Sequence, residues 1–153
     1  MRREEDASQT CNNAQNSIAK RIHIILYQPE IPPNTGNIIR LAANTGAALH
    51  LIQPLGFNLE DKKLQRAGLD YHEFTAVKLY ENLEACIAQN TLKNIYSCST
   101  HGKIYHTEPS YGEEVAFLFG PETRGLPDSL RERYPCVRIP LKPDNRSLNL
   151  SNA

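Results

Sequence analysis

Two short apolar runs most narrow what this chain can become. Ile22-His23-Ile24-Ile25-Leu26-Tyr27 and Val115-Ala116-Phe117-Leu118-Phe119 are nearly continuous in apolar residues, with none of the alternation of a half-exposed strand. Such runs suit strands covered on both faces, as in a parallel sheet flanked by helices. The segments around them fit that pattern. Pro29, Pro32 and Pro33 interrupt the first run, and Asn34 or Thr35 then reads as the cap of a helix. Ile38, Leu41, Ala42 and Thr45 share one face of that helix, and Gly46 closes it. Leu49–Ile52 is the next strand, stopped by Pro54 and Gly56.

The alternation continues with a helix over 61–67, a strand over 76–80, a helix over 82–89 and a strand over 95–99. After Val115–Phe119 come a helix from Pro127 to Arg133 and a strand over 137–139. Strands alternating with helices predict an α/β fold, a mainly parallel sheet with helices on both faces. Ligands of such sheets lie at the carboxyl ends of the strands. The segments 28–40, 97–102, 120–125 and 140–149 are therefore the candidate site loops. Residues 1–21 are polar and nearly free of aliphatic side chains, which predicts a disordered tail before a domain over 22–153.

Composition excludes several classes. With 17 basic and 17 acidic residues the net charge is zero, so any nucleic acid must be held by a local patch rather than bulk charge. Five basic and two acidic residues in 131–146 supply one candidate patch. No apolar run reaches the ~20 residues that span a bilayer, so a soluble chain without a membrane partner is expected. Cys11, Cys86, Cys98 and Cys136 have no Cys-x-x-Cys spacing, so neither a metal centre nor a redox pair is expected. The five histidines are scattered and read as structural or surface residues, with only His101 near a candidate loop.

Three clusters carry possible chemistry. Asn34-Thr35-Gly36-Asn37 with Arg40 places a helix N-terminus, suited to an anion, beside a guanidinium. The bland alternative is a capped helix with a solvated arginine. Gly120-Pro121-Glu122-Thr123-Arg124-Gly125 follows the strongest strand directly. Its glycines allow a close approach of backbone to ligand, and Glu122 and Arg124 can pair with each other or orient a substrate. It lacks the Gly-Lys-Ser/Thr ending of a phosphate loop, and no Gly-x-Gly-x-x-Gly occurs. In Asn145–Asn152, Ser147 or Asn149 reads as the cap of a helix, yet no helical pattern follows.

Taken together, four segments resemble the SPOUT class of RNA methyltransferases. They are LYQPEIPPNTGNIIRLAANTGAALHLIQPLGF at 26–57, AGLDYHEF at 67–74, FLFGPETRGLP at 117–127 and RIPLKPDNRSLNLSNA at 138–153. The nearest subfamily is the one that methylates the ribose 2′-hydroxyl of the wobble cytidine or uridine of tRNA. The resemblance implies a sheet whose C-terminal part forms a trefoil knot, S-adenosylmethionine as methyl donor, no metal, a homodimer, and the tRNA anticodon stem-loop rather than DNA as substrate. A cytoplasmic location follows from that substrate. Carried over by motif, Cys98, Gly120, Ile139 and Ser147 are the cofactor-binding positions. Arg40, Asn34, Glu122 and Asn149 are the catalytic ones. Arg40 is implied to handle the proton of the hydroxyl, or to stabilise the developing alkoxide or hold a phosphate. Backbone around Gly120, Ile139 and Leu141 is implied to hold the adenine. Relatives continue past the Ser-Asn-Ala match into a helix that threads the knot, whereas this sequence reaches only Ala153. Two functional expectations follow: an active ribose methyltransferase, or a catalytically silent RNA-binding or dimerisation module.

Overall fold

The computed structural model describes residues 21–60, 73, 76–141 and 148–153. The expected helix over 61–67, the basic residues of 142–147 and most of the polar tail lie outside the described residues. The elements run β1 (Arg21–Tyr27), α1 (Pro32–Thr45), β2 (Ala48–Ile52), β3 (Val77–Tyr80), α2 (Leu83–Asn90), β4 (Ile95–Cys98), β5 (Ile104–Tyr105), β6 (Glu114–Phe119), α3 (Asp128–Arg133) and β7 (Cys136–Arg138). A 3-10 helix over Leu150–Asn152 follows. The seven strands form one sheet in the order β3-β2-β1-β6-β4-β7-β5. Every pairing between neighbours is parallel. The expected mainly parallel α/β sheet is thus present. β1 opens at Arg21, one residue into the expected tail, because the Arg21 N–H donates to Glu113 O at 2.7 Å.

Two apolar cores lie on opposite faces of the sheet. On one face, Ile38, Ile39 and Ala42 of α1 pack with Leu26, Leu49 and Leu51. On the other, Leu83 and Cys86 of α2 pack with Ile25, Ile52, Ala116 and Leu118, joined by Leu130 of α3. Helices therefore cover both faces, which accounts for the unbroken apolar runs of β1 and β6. Full burial of each buried leucine or isoleucine here is worth about 1.5–3 kcal/mol.

The start of α1 departs from expectation. The helix begins at Pro32, with Ile31 as N-cap and both prolines in its first turn, so Asn34 and Thr35 lie inside it. Proline is tolerated there because the first helical N–H groups have no partner within the helix and the ring presets φ. This shift of register turns Thr35, Ile38, Ile39 and Ala42 inward, and Leu41 is 47% exposed rather than part of the core. Gly46 closes the helix in the left-handed region, φ 79°, as expected. Asn82 caps α2 by accepting from the Ala85 N–H at 2.8 Å. Pro127 is the N-cap of α3 rather than its first residue. The two-residue strand β5, absent from the sequence reading, adds to the β7 edge of the sheet.

A buried polar ladder runs along the second core, on the α2 face of the sheet. His23 Nδ1 lies 3.0 Å from His50 Nε2, and His50 Nδ1 lies 3.1 Å from the Tyr80 hydroxyl. Asn90 Nδ2 donates to that hydroxyl at 2.9 Å, and His23 Nε2 meets Glu114 Oε1 at 2.8 Å. One set of neutral tautomers satisfies the whole series: Asn90 to Tyr80, Tyr80 to His50, His50 to His23, His23 to Glu114. The ladder ties β3, β2, β1 and β6 together and gives His23 and His50 the structural role read from their positions.

Candidate active site

β1 and β6 are adjacent, but the chain leaves them toward opposite faces: α1 covers one and α3 the other. A crevice must open between the two departing turns, at the carboxyl ends of the strands. A cleft of about 1070 Å³ lies there, walled by the ends of β4, β6 and β7 and by residues 148–150.

Six predicted site residues share this cleft: Asn34, Cys98, Gly120, Glu122, Ile139 and Asn149. Leu141, expected near the adenine, lines it too. Ser147 lies outside the described residues. Arg40 is not among the lining residues; it sits on the exposed side of α1, six residues and about 9 Å along the axis from Asn34. The three sequence clusters therefore converge, with Arg40 exposed outside the cleft lining.

The loop after β6 is shaped by its own backbone. A Cβ on Gly120 would lie 2.3 Å from the Leu126 nitrogen, so only glycine fits this return of the loop on itself. Gly125 holds φ at 68°, the left-handed region that glycine enters without a Cβ penalty. The result is a strand end with bare backbone facing the cleft.

Glu122 does not pair with Arg124. Its carboxylate accepts from the Glu30 N–H at 2.7 Å and the Ile31 N–H at 3.3 Å. The anion that the sequence placed at the N-terminus of α1 is thus the protein's own: prolines remove two N–H groups, and Glu122 occupies the turn before them. Glu30 returns the contact. Its Oε1 accepts from the Thr123 N–H at 3.0 Å and the Thr123 hydroxyl at 2.7 Å, and Arg124 Nε lies 4.0 Å from its Oε2. These bonds from Thr123, with a smaller contribution from Arg124, hold the Glu30 carboxyl below the usual carboxylate range. Gln28, in the left-handed region at φ 49°, turns the chain out of β1, and its Oε1 accepts from Arg124 Nη2 at 3.5 Å.

The remaining walls are mostly apolar. Burial pushes the Cys98 thiol up to about 12, and the nearby Cys136 thiol adds in the same direction. Cys98 is therefore a neutral, small wall residue rather than a nucleophile. Tyr111 stacks edge-on against Tyr96 and Phe117, with ring centroids 5.0 Å from each, and its hydroxyl donates to His106 O. Asn149 accepts from the Ser151 N–H at 2.9 Å and the Ser151 hydroxyl at 2.7 Å. It caps the 3-10 helix over Leu150–Asn152, so a short helical turn follows where no helix was expected. Leu150 packs into the α1 core and fixes that end of the wall.

Sequence reasoning missed Glu30, His106, Tyr111 and Arg138 as cleft or loop-tying residues. Glu30 carried a usable signal, an acid immediately before a proline-initiated helix. Arg138 and His106 depend on β5, which two residues cannot announce. Among the described residues, no three His, Cys, Asp or Glu side chains gather as a metal site.

The residues present fit an extended cofactor with an apolar ring and polar ends: bare backbone at Gly120, small apolar walls at Cys98 and Ile139, and the buried Asn34 among the lining residues. Comparison with known proteins agrees. A tRNA (cytidine(34)-2'-O)-methyltransferase of Methylovorus glucosotrophus (strain SIP3-4) is 56% identical over 133 residues, covering 85% of this chain and 86% of the relative. A solved structure concerned with 2-OH methylation of C/U34 on tRNA aligns at a TM-score of 0.79 and 42% identity, over 87% of this chain and 88% of the other. An AdoMet-bound rRNA methyltransferase from Sinorhizobium meliloti aligns at 0.72 and 25% identity, over 89% of this chain and 53% of the other. The family model described as SpoU rRNA methylase matches residues 21–153, the whole of the sheet and the cleft, and so this chain belongs to the SpoU rRNA methylase family.

Proposed function

We propose that this chain transfers the methyl group of S-adenosylmethionine to the ribose 2′-hydroxyl of nucleotide 34 of tRNA. The observation that carries the reading is the convergence of Asn34, Cys98, Gly120, Glu122, Ile139 and Asn149 on one cleft at the strand ends. The likeness to relatives that methylate cytidine 34 or C/U34 names the substrate.

The cofactor supplies an activated methyl on a sulfonium. Methyl transfer to an oxygen is an in-line displacement, so the protein must hold the donor, align the hydroxyl and accept its proton. In this reading Gly120, Ile139 and Leu141 hold the adenine through backbone groups, and Cys98 walls the pocket. Ser147, expected to complete the cofactor site, belongs to the same assignment. Glu122 positions the β6 loop against α1 and Asn149 holds the far wall. Asn34, 5% exposed and lining the cleft, presents its amide to the substrate.

Arg40 needs a second copy. It is exposed and does not line the cleft of its own chain, and the adjacent Leu41 is 47% exposed. Ile31 and Leu148, at the cleft mouth, are 39% and 40% exposed. A homodimer that covers these side chains would bring Arg40 of one copy toward the cleft of the other, where it stabilises the alkoxide or a phosphate. The location that suits a tRNA substrate is the cytoplasm. Among the described residues no helix is long and apolar enough to cross a membrane, and neither membrane nor DNA is part of the reading.

The direct test combines calorimetry with S-adenosylmethionine and mass spectrometry of tRNA nucleosides after incubation. Cofactor binding and a 2′-O-methylated nucleotide 34 support the reading. Binding of tRNA with neither cofactor binding nor methylation would support the silent-module alternative instead.

A further inference from the structure

We propose that Tyr105 and Arg138 form a platform for single-stranded RNA beside the cleft, taking a nucleotide that flanks the one modified. This rests on the methyltransferase reading above and adds a second contact surface to it.

β5 exists only as a two-residue strand against β7, with Tyr105 in register with Arg138. The Arg138 guanidinium lies over the Tyr105 ring, Cζ 4.6 Å from the centroid, and Nη2 donates to the Tyr105 hydroxyl at 2.9 Å. The His106 N–H donates to Arg138 O at 2.9 Å and fixes the end of the strand. Tyr105 is 37% exposed, while Arg138 and His106 line the cleft. The surface therefore runs from the cleft wall out to the sheet edge without a break.

Charge separates Arg138 from its neighbours. Three arginines line the cleft among the described residues: Arg124, Arg131 and Arg138. Arg124 faces Glu30 at 4.0 Å and Arg131 pairs with Asp128. Arg138 takes part in no ion pair among the described residues. A guanidinium held by an aromatic ring instead of a carboxylate keeps its positive charge uncompensated, and its remaining N–H donors call for acceptors. Phosphate oxygens supply them. An exposed tyrosine with an arginine plane against it is the surface on which unpaired bases stack. RNA is favoured over a protein partner because the cation adjoins the cleft proposed to take the modified nucleotide.

The test uses the full chain with Arg138→Ala, Arg138→Lys and Tyr105→Leu. Affinity for an unmodified tRNA transcript is measured across a salt series, with S-adenosylmethionine affinity measured in parallel. The expected result for Arg138→Ala is about fivefold or greater weakening for tRNA and a log–log salt slope shallower by about one. Arg138→Lys, which keeps the charge, should retain the slope. Tyr105→Leu should weaken tRNA binding by about fivefold or more with the slope unchanged. Cofactor affinity should stay within about twofold throughout. Unaltered tRNA affinity and slope in Arg138→Ala and Tyr105→Leu would overturn the platform. So would a parallel loss of cofactor affinity in Arg138→Lys, which would place Arg138 in the cofactor site or the core. Wild-type chain that binds cofactor and methylates tRNA while the variants match it contradicts the platform alone; wild-type chain that neither binds nor methylates tRNA contradicts both readings.

Discussion

Glu30 and Glu122 clasp each other's backbone: the Glu122 carboxylate accepts the Glu30 N–H at 2.7 Å, and the Glu30 carboxylate accepts the Thr123 N–H at 3.0 Å. The two turns joined this way leave β1 and β6, the strands between which the cleft opens. Charge-assisted bonds to backbone are stronger than neutral ones, roughly 1.5–3 kcal/mol each.

Glu122→Ala should therefore loosen the β6 loop and weaken S-adenosylmethionine binding by about tenfold or more. Glu122→Gln, which keeps an acceptor of the same shape, should recover most of that loss. Calorimetric titration of both variants checks this; equal damage from Gln and Ala would show that the negative charge, not the loop geometry, matters.

The Glu30 carboxyl titrates lower in the folded chain than unfolded. Its contribution to stability is then present above the unfolded value near 4.5 and disappears as the pH falls below it. Denaturant midpoints of wild type and Glu30→Gln should differ above pH 5 and converge in acid. A constant difference across pH would refute this linkage.

His50 predicts a loss of stability in acid of the same sign, in a higher pH window. Burial, helped by His23 and Lys78, pushes its folded value down from 6.5 to about 4. Above pH 6.5 the ring is neutral in both states and costs nothing. Between 6.5 and about 4 the unfolded chain takes up a proton at residue 50 that the buried His50 ring does not. This component of stability should fall through that window, by on the order of 3 kcal/mol, and level off below it. His50→Gln should flatten this component in pH-dependent urea melts, leaving the carboxylate contribution that wild type shares.

Two glycines should respond very differently to alanine. At Gly120 the added Cβ meets Leu126 nitrogen at 2.3 Å, so Gly120→Ala must displace the loop and should abolish cofactor binding. At Gly46 nothing lies within 4 Å, and only the left-handed backbone is strained, so Gly46→Ala should cost about 1 kcal/mol and leave binding intact. Equal effects of the two on cofactor affinity would contradict this account of the β6 loop.

Arg40→Ala should eliminate methylation while leaving cofactor affinity within about twofold, because the residue lies off the cleft of its own chain. Mixing it with a cleft variant such as Gly120→Ala should restore part of the activity if Arg40 acts across a dimer. A large loss of cofactor affinity in Arg40→Ala would show that its assigned role is wrong.

The sheet was largely legible because strands buried on both faces leave unbroken apolar runs, as in β1 and β6. The strand-end loops also announced themselves, through Gly120 to Gly125 and the Asn34 turn. Tertiary partners were not legible. Proline at 32 and 33 can equally end a strand or begin a helix, and the choice follows from Glu122 docking on Glu30 and Ile31, a contact 91 or 92 residues distant. A similar separation in sequence hid the pairing of Arg124 with Glu30. β5 is held by register with β7, not by local propensity, so Tyr105 gave no hint of Arg138. The exposure of Arg40 outside the cleft lining emerged only once the helix had its observed start.

Turns from β1, β4, β6 and β7 line the cleft in which a methyl donor would meet a ribose oxygen. The most direct measurement is nucleoside mass spectrometry of tRNA incubated with the full chain and S-adenosylmethionine carrying a labelled methyl. Label is expected on the 2′-oxygen of nucleotide 34 and should be lost in Gly120→Ala. Cofactor-saturated, correctly folded chain that leaves the ribose of nucleotide 34 unlabelled would contradict it.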